Sequence, residues 1–181
     1  KSFTVMSVID SALLQIRQLH PYSPGKPVEE LERELGIANA IKLASNENPL
    51  GCSPLVGAVL ARAGEHLELY PDANAYYLKQ RLAQKLGVGE NQITVGNGSN
   101  DVLDLIARSF LDGNAEAVFS QYAFMVYAMV TQACGARARV AAANDIDSPQ
   151  PYGHDLQAML EMVNDKTRLV FIANPNNPTG N

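Results

Sequence analysis

The sequence lacks tryptophan and carries only two cysteines, Cys52 and Cys134. They lie far apart without metal-ligand spacing, so they read as isolated thiols of a reducing, cytoplasmic compartment rather than as a disulfide framework. Basic surplus is missing too: 14 Lys and Arg stand against 19 Asp and Glu, a formal net charge of −5. The basic residues are scattered singly, so no nucleic acid partner is expected. No stretch approaches the roughly 20 apolar residues that span a bilayer, and the segment up to Leu14 has neither the apolar region nor the cleavage site of a signal peptide, so no membrane partner is expected. The three histidines, His20, His66 and His154, share no ligand spacing. Each reads as structural or exposed, and no metal site is expected. A Gly-x-Ser-x-Gly nucleophile elbow is absent as well, which argues against a Ser-His-Asp hydrolase.

What remains is ordinary globular composition, 46% hydrophobic over 181 residues, enough to bury a core for one domain with room for an appendage. Apolar residues at helical spacing predict an N-terminal helix over 8–19, ended by Pro21, and a short charged helix over 28–35 closed by Gly36. Further helices are expected over 54–63, 75–86, 99–111, 123–134 and 155–163. Strands are expected over 41–44, 93–96, 115–120, 138–142 and 168–173. Strands separated by helices of this length need crossover connections, so the fold class is α/β, a mostly parallel sheet with helices on both faces.

Open α/β sheets bind ligands beyond the carboxyl ends of their strands, and three segments there could carry chemistry. Gly96-Asn97-Gly98-Ser99-Asn100-Asp101 ends a strand and opens a helix, with Ser99 expected as N-cap. It reads either as a capped helix start or as a phosphate site built from outward backbone amides. Tyr122, Phe124 and Tyr127 follow the next strand, where a ring either stacks on a planar ligand or packs in the core. The segment Asn174-Pro175-Asn176-Asn177-Pro178-Thr179-Gly180-Asn181 follows the apolar run Leu169–Ala173. Its prolines restrain Asn177, whose amide can donate to a phenolate-like oxygen, and function outweighs plain turn formation there. Tyr70-Pro71-Asp72 is a turn between helices whose phenol either reaches a neighbour or is a surface tyrosine.

Taken together and in this order, these segments resemble the histidinol-phosphate aminotransferase branch of the fold-type-I aminotransferases, which use pyridoxal 5'-phosphate (PLP). The resemblance runs through essentially the whole chain. It also includes Pro21-Tyr22, Pro24-Gly25-Lys26-Pro27 and Leu43-Ala44-Ser45-Asn46-Glu47-Asn48-Pro49-Leu50-Gly51. It implies the three-layer PLP-dependent transferase fold, with residues 1–52 as N-terminal arm and small-domain segment. Residues 53–181 would be the first half of the PLP-binding large domain.

By the same resemblance Ser99 and Asn100 would hold the PLP phosphate, Phe124 would stack on the pyridine ring and Asn177 would bond its phenolic oxygen. Tyr70 would reach the cofactor of the other subunit in a homodimer, while Tyr22 and Asn46 would lie near the substrate. Tyr122-Ala123 stands before Phe124 where many relatives have Pro-Thr or Pro-Ser. The implied reaction is transamination of histidinol phosphate with 2-oxoglutarate and glutamate, in histidine biosynthesis. An aromatic aminotransferase, a phospho-amino-acid decarboxylase and a non-catalytic truncated fragment are the alternatives. The family's cofactor-bearing lysine lies beyond a loop like 174–181, as do its other charged cofactor and substrate ligands. Residues 1–181 by themselves are therefore expected not to transaminate, and to be prone to aggregation.

Overall fold

The structure is a computed structural model and describes residues 7–21 and 25–181. Contacts group the described residues of Lys1–Tyr22 and Thr94–Asn181 into one unit, and those of Ser23–Ile93 into a second.

The first unit is built on a parallel three-stranded sheet in the order β2-β1-β3: β1 is Glu116–Ser120, β2 Arg137–Ala141 and β3 Thr167–Val170. Every residue of β1 is buried, as a central strand of a covered parallel sheet requires. Its alternating side chains supply two cores. Ala117 and Phe119 pack with Ala107, Val126, Tyr127, Val130 and Phe171, whereas Val118 packs with Ala141 and Met159. The first core is contributed by α5 (Ser99–Phe110) and α6 (Val126–Ala133), the second by α7 (Leu156–Glu161). Helices therefore cover both faces, and the α/β three-layer expectation holds. The short helix α1 (Leu14–Arg17) lies on α6, where the Gln132 amide donates to the Gln15 carbonyl at 3.0 Å.

The second unit carries α2 (Val28–Leu35), α3 (Pro54–Ala63) and α4 (Tyr76–Leu86). Their ends follow local rules. Gly36 and Gly87 close α2 and α4 at φ of 64° and 69°, and Ser53 caps α3 with Pro54 in its first turn. Asp72 accepts the amides of Asn74 and Tyr76 at 2.9 and 2.8 Å, and these bonds hold its carboxyl below the usual range. None of the described residues in 25–93 is buried.

Several expectations need correction. Segments 41–44 and 93–96 pair with no strand among the described residues; Ile93 is extended (φ −117°, ψ 121°), but a strand also needs a hydrogen-bonding neighbour. The helix expected over 8–19 is broken, because Ala12 is extended (ψ 149°) between a 3-10 turn at Ile9–Ser11 and α1. Helix α6 begins at Val126 rather than Ala123, because the Tyr127 amide closes a tighter turn on the Phe124 carbonyl at 3.0 Å instead of reaching back to Ala123.

Candidate functional site

In the first unit α5 leads through the turn 111–115 into β1, so the helix runs back along the sheet and its start lies on the side of the strands' carboxyl ends. The turn before α5 depends on two glycines. Gly98 occupies the N-cap at φ +82°, a conformation that side chains disfavour. A Cβ on Gly96 would stand 2.8 Å from Asp101 Oδ2 and 3.2 Å from Val102 Cγ2. The expected Ser99 cap is therefore corrected: Gly98 is the cap, and Ser99 is the first helical residue. Asp101 accepts the Asn97 amide at 3.0 Å. The amides of Ser99 and Asn100 belong to the first turn, which has no intrahelical acceptors, and both residues are exposed. An anion can approach them, with the helix dipole in its favour.

Phe124 follows β1 and is half-buried, packed on the core with its ring edge-on to Tyr127 at 6.0 Å. Tyr127 in turn stacks on Phe171 at 4.6 Å and 6°. Burial pushes the Tyr127 phenol up, which suits a packing residue rather than an acid or base. Phe124 is thus a core-backed ring with part of its surface outside.

The loop after β3 touches the loop after β1. Asn176 is 4% exposed, and its Nδ2 donates to the Tyr122 carbonyl at 3.0 Å and to Thr179 Oγ1 at 2.8 Å. Its own amide N–H donates to the Asn181 carbonyl at 2.7 Å, and Gly180 N–H returns to the Asn176 carbonyl at 2.8 Å. Asn177, next in the chain, is exposed. Ser99, Asn100, Phe124 and Asn177 all belong to the first unit and to segments on the carboxyl side of its sheet.

Tyr70 and Asn46 belong to the second unit. Tyr70 is fully exposed just before the Asp72 turn, and Asn46 is exposed just after a bend at 44–45, next to Glu47 of the Lys42–Glu47 ion pair of 3.0 Å. Tyr22 lies outside the described residues. Among the described residues no cluster of three His, Cys, Asp or Glu side chains could hold a metal ion. No described helix is long and apolar enough to cross a membrane.

Two contacts were not legible in the sequence, one at Asn176 and one at His154, which reads there only as structural or exposed. Asn176 is the structural anchor of the loop, and nothing in the pair Asn176-Asn177 tells which amide turns inward. His154 lies in the loop between β2 and α7, and its Nε2 sits 2.9 Å from the Ala173 carbonyl at the root of the same loop.

The chain matches the family described as aminotransferase class I and II over residues 38–181, and it belongs to that family. It is 54% identical over 175 residues to histidinol-phosphate aminotransferase 2 of Methylococcus capsulatus, covering 97% of this chain and 47% of that protein. Against histidinol-phosphate aminotransferase 1 of Idiomarina loihiensis the identity is 55%, over 91% of this chain and 43% of that protein. The chain thus spans under half the length of these relatives. Among solved structures it is similar to histidinol-phosphate aminotransferase from Sinorhizobium meliloti in complex with pyridoxal-5'-phosphate. There the TM-score is 0.76 at 27% identity, over 98% of this chain and 44% of that one. Aspartate aminotransferase from Thermotoga maritima shares the fold, with a TM-score of 0.74 at 21% identity over 92% of this chain and 46% of that one.

Proposed function

We propose that this chain is the cofactor-cradling portion of a PLP-dependent aminotransferase that acts on histidinol phosphate and 2-oxoglutarate in histidine biosynthesis. The observation that carries the reading is the open start of α5, where Gly96 and Gly98 bring backbone amides to the carboxyl side of a parallel sheet. The relatives at 54% and 55% identity support the substrate. Residues 1–52 would be arm and small-domain segment, and 53–181 the first half of the large domain. Two free thiols support a reducing, cytoplasmic setting.

The residues present fit the cofactor. Ser99 and Asn100 would bind its phosphate through their first-turn amides, in a turn too tight for a side chain at position 96. Phe124, backed by Tyr127, would offer a ring face against the pyridine. Asn177 would donate its side-chain amide to the phenolic oxygen and so hold negative charge there. PLP when bound supplies an electron sink for the bonds around the substrate's amino carbon. The protein's part is orientation: four residues on three different segments would fix the plane of a flat group. In a homodimer Tyr70, fully exposed on its own subunit, would reach the partner's cofactor phosphate, while Asn46 and Tyr22 would line the substrate side.

The test is the full-length protein incubated with PLP, histidinol phosphate and 2-oxoglutarate, with glutamate measured as product. Glutamate formation that depends on histidinol phosphate supports the reading. Turnover confined to aromatic amino acids, or release of carbon dioxide from a phosphorylated amino acid, contradicts it.

A further inference from the structure

Two loops of the first unit are tied together at several points, and one tie runs through a histidine that the proposed chemistry does not use. His154 Nε2 lies 2.9 Å from the Ala173 carbonyl oxygen. A carbonyl only accepts, so Nε2 carries the hydrogen and donates. The other ring nitrogen, Nδ1, is buried and bonded to nothing among the described residues, so the orientation of the ring rests on Nε2. A second tie joins the same loops: Asn181 Nδ2 donates to the Pro151 carbonyl at 2.6 Å. Gly153 leaves room for that side chain, since a Cβ there would meet Gln150 O at 3.0 Å and Asn181 Nδ2 at 3.3 Å. Tyr152 adds an edge-on contact with Tyr122 at 5.3 Å, and the Tyr122 carbonyl is the acceptor that holds Asn176.

We propose that His154 is a positioning residue: by gripping the Ala173 carbonyl at the root of the 174–181 loop, it fixes the direction in which Asn177 presents its amide. The grip is made just before the loop, Asn176 is anchored within it, and Asn181 is anchored at its end. Asn177 therefore sits on a segment held on both sides. The hold is polar rather than packed. A cavity of about 180 Å³ lined by Gln150, His154, Leu156, Ile172, Asn174 and Asn181 borders both loops beside the His154 bond, so packing there is incomplete and does little to replace the hydrogen bond when it is lost. The proposal rests on the reading of Asn177 as the ligand of the cofactor's ring oxygen, but the clasp itself can be tested without cofactor.

The experiment compares His154→Phe, which keeps a ring but has no donor, with His154→Gln, whose side-chain amide reaches a similar distance. Both are made in the full-length protein. Amide hydrogen exchange of residues 174–181 is read in the cofactor-free protein, and the pH midpoint of the bound cofactor's absorption in the loaded protein. In His154→Phe, exchange of the Asn176 and Gly180 amides should be about five- to tenfold faster, the factor that loss of one ordinary hydrogen bond gives. Its absorption midpoint should move upward, as in Asn177→Ala but by less, and His154→Gln should restore both. Unchanged exchange in His154→Phe overturns the clasp. Faster exchange with an unmoved midpoint, or no rescue by Gln, overturns the positioning role and leaves a structural one. A wild-type protein that takes up no PLP defeats the proposed function instead, and the exchange comparison still decides the clasp.

Discussion

At Asn176 the side chain is turned inward and bonded to Tyr122 and Thr179, whereas Asn177 is exposed. The two substitutions should therefore separate. Asn176→Ala leaves the Tyr122 carbonyl without its donor and should lower stability by about 1–3 kcal/mol in denaturant unfolding of the full-length protein. Asn177→Ala should leave stability within about 0.5 kcal/mol, as surface substitutions do. It should instead raise the pH midpoint of the cofactor's absorption, because a donor to the ring oxygen favours its ionised form and weakens its hold on a shared proton. An unmoved midpoint would show that the Asn177 amide points elsewhere. The prolines mark Asn177 in the sequence as a restrained amide, and the structure leaves it exposed. The inward turn of Asn176 depends on a carbonyl 54 residues away and could not be read locally.

Helix termini set by a single residue type were readable from the chain: α2 and α3 occupy their expected spans because Gly36, Ser53 and Pro54 act within one turn. Strands were readable only where a neighbour exists. The segment 93–96 has strand composition, but pairing is a property of two segments, and the sequence of one cannot supply the other. For α7 on the second face of the sheet, Met159→Ala should cost about 2–5 kcal/mol, since the side chain is 2% exposed against Val118 and Ala141. At the amino-terminal end of β1, buried Glu116 accepts from Asn164 Nδ2 at 2.8 Å and lies 3.6 Å from Arg139 Nε. The Asn164 bond first, then the charges of Arg139, Arg137 and Lys166, hold its carboxyl below the usual 4.5, against the opposing effect of burial. The folded state thus binds this proton less readily than the unfolded chain. The resulting stability is present in full above the usual value and is lost as pH falls from about 4.5 through the lower folded value. Glu116→Gln should flatten that acid limb, as read from unfolding midpoints on lowering the pH; an unchanged limb would contradict the assignment.

On the scale of the whole molecule, the second unit stands out because none of its described residues is buried. Helix α3 exposes Leu55, Val59 and Leu60, and Tyr70 is fully exposed. Exposed apolar surface of this kind marks a place where another protein surface packs, of the same subunit or of a partner. A homodimer in which Tyr70 serves the partner's cofactor predicts that Tyr70→Phe weakens PLP retention on dialysis while leaving unfolding of the subunit unchanged. Equal retention in the two proteins would remove Tyr70 from the site. The central claim, that the amides opening α5 and the side chains after β1 and β3 form one cofactor cradle, is tested most directly by a crystal structure of the full-length protein with PLP. The account predicts phosphate oxygens about 3 Å from the Ser99 and Asn100 amides, with the ring against Phe124 and its phenolic oxygen within hydrogen-bond reach of Asn177. A phosphate bound away from the start of α5, or a ring in contact with neither Phe124 nor Asn177, would contradict it.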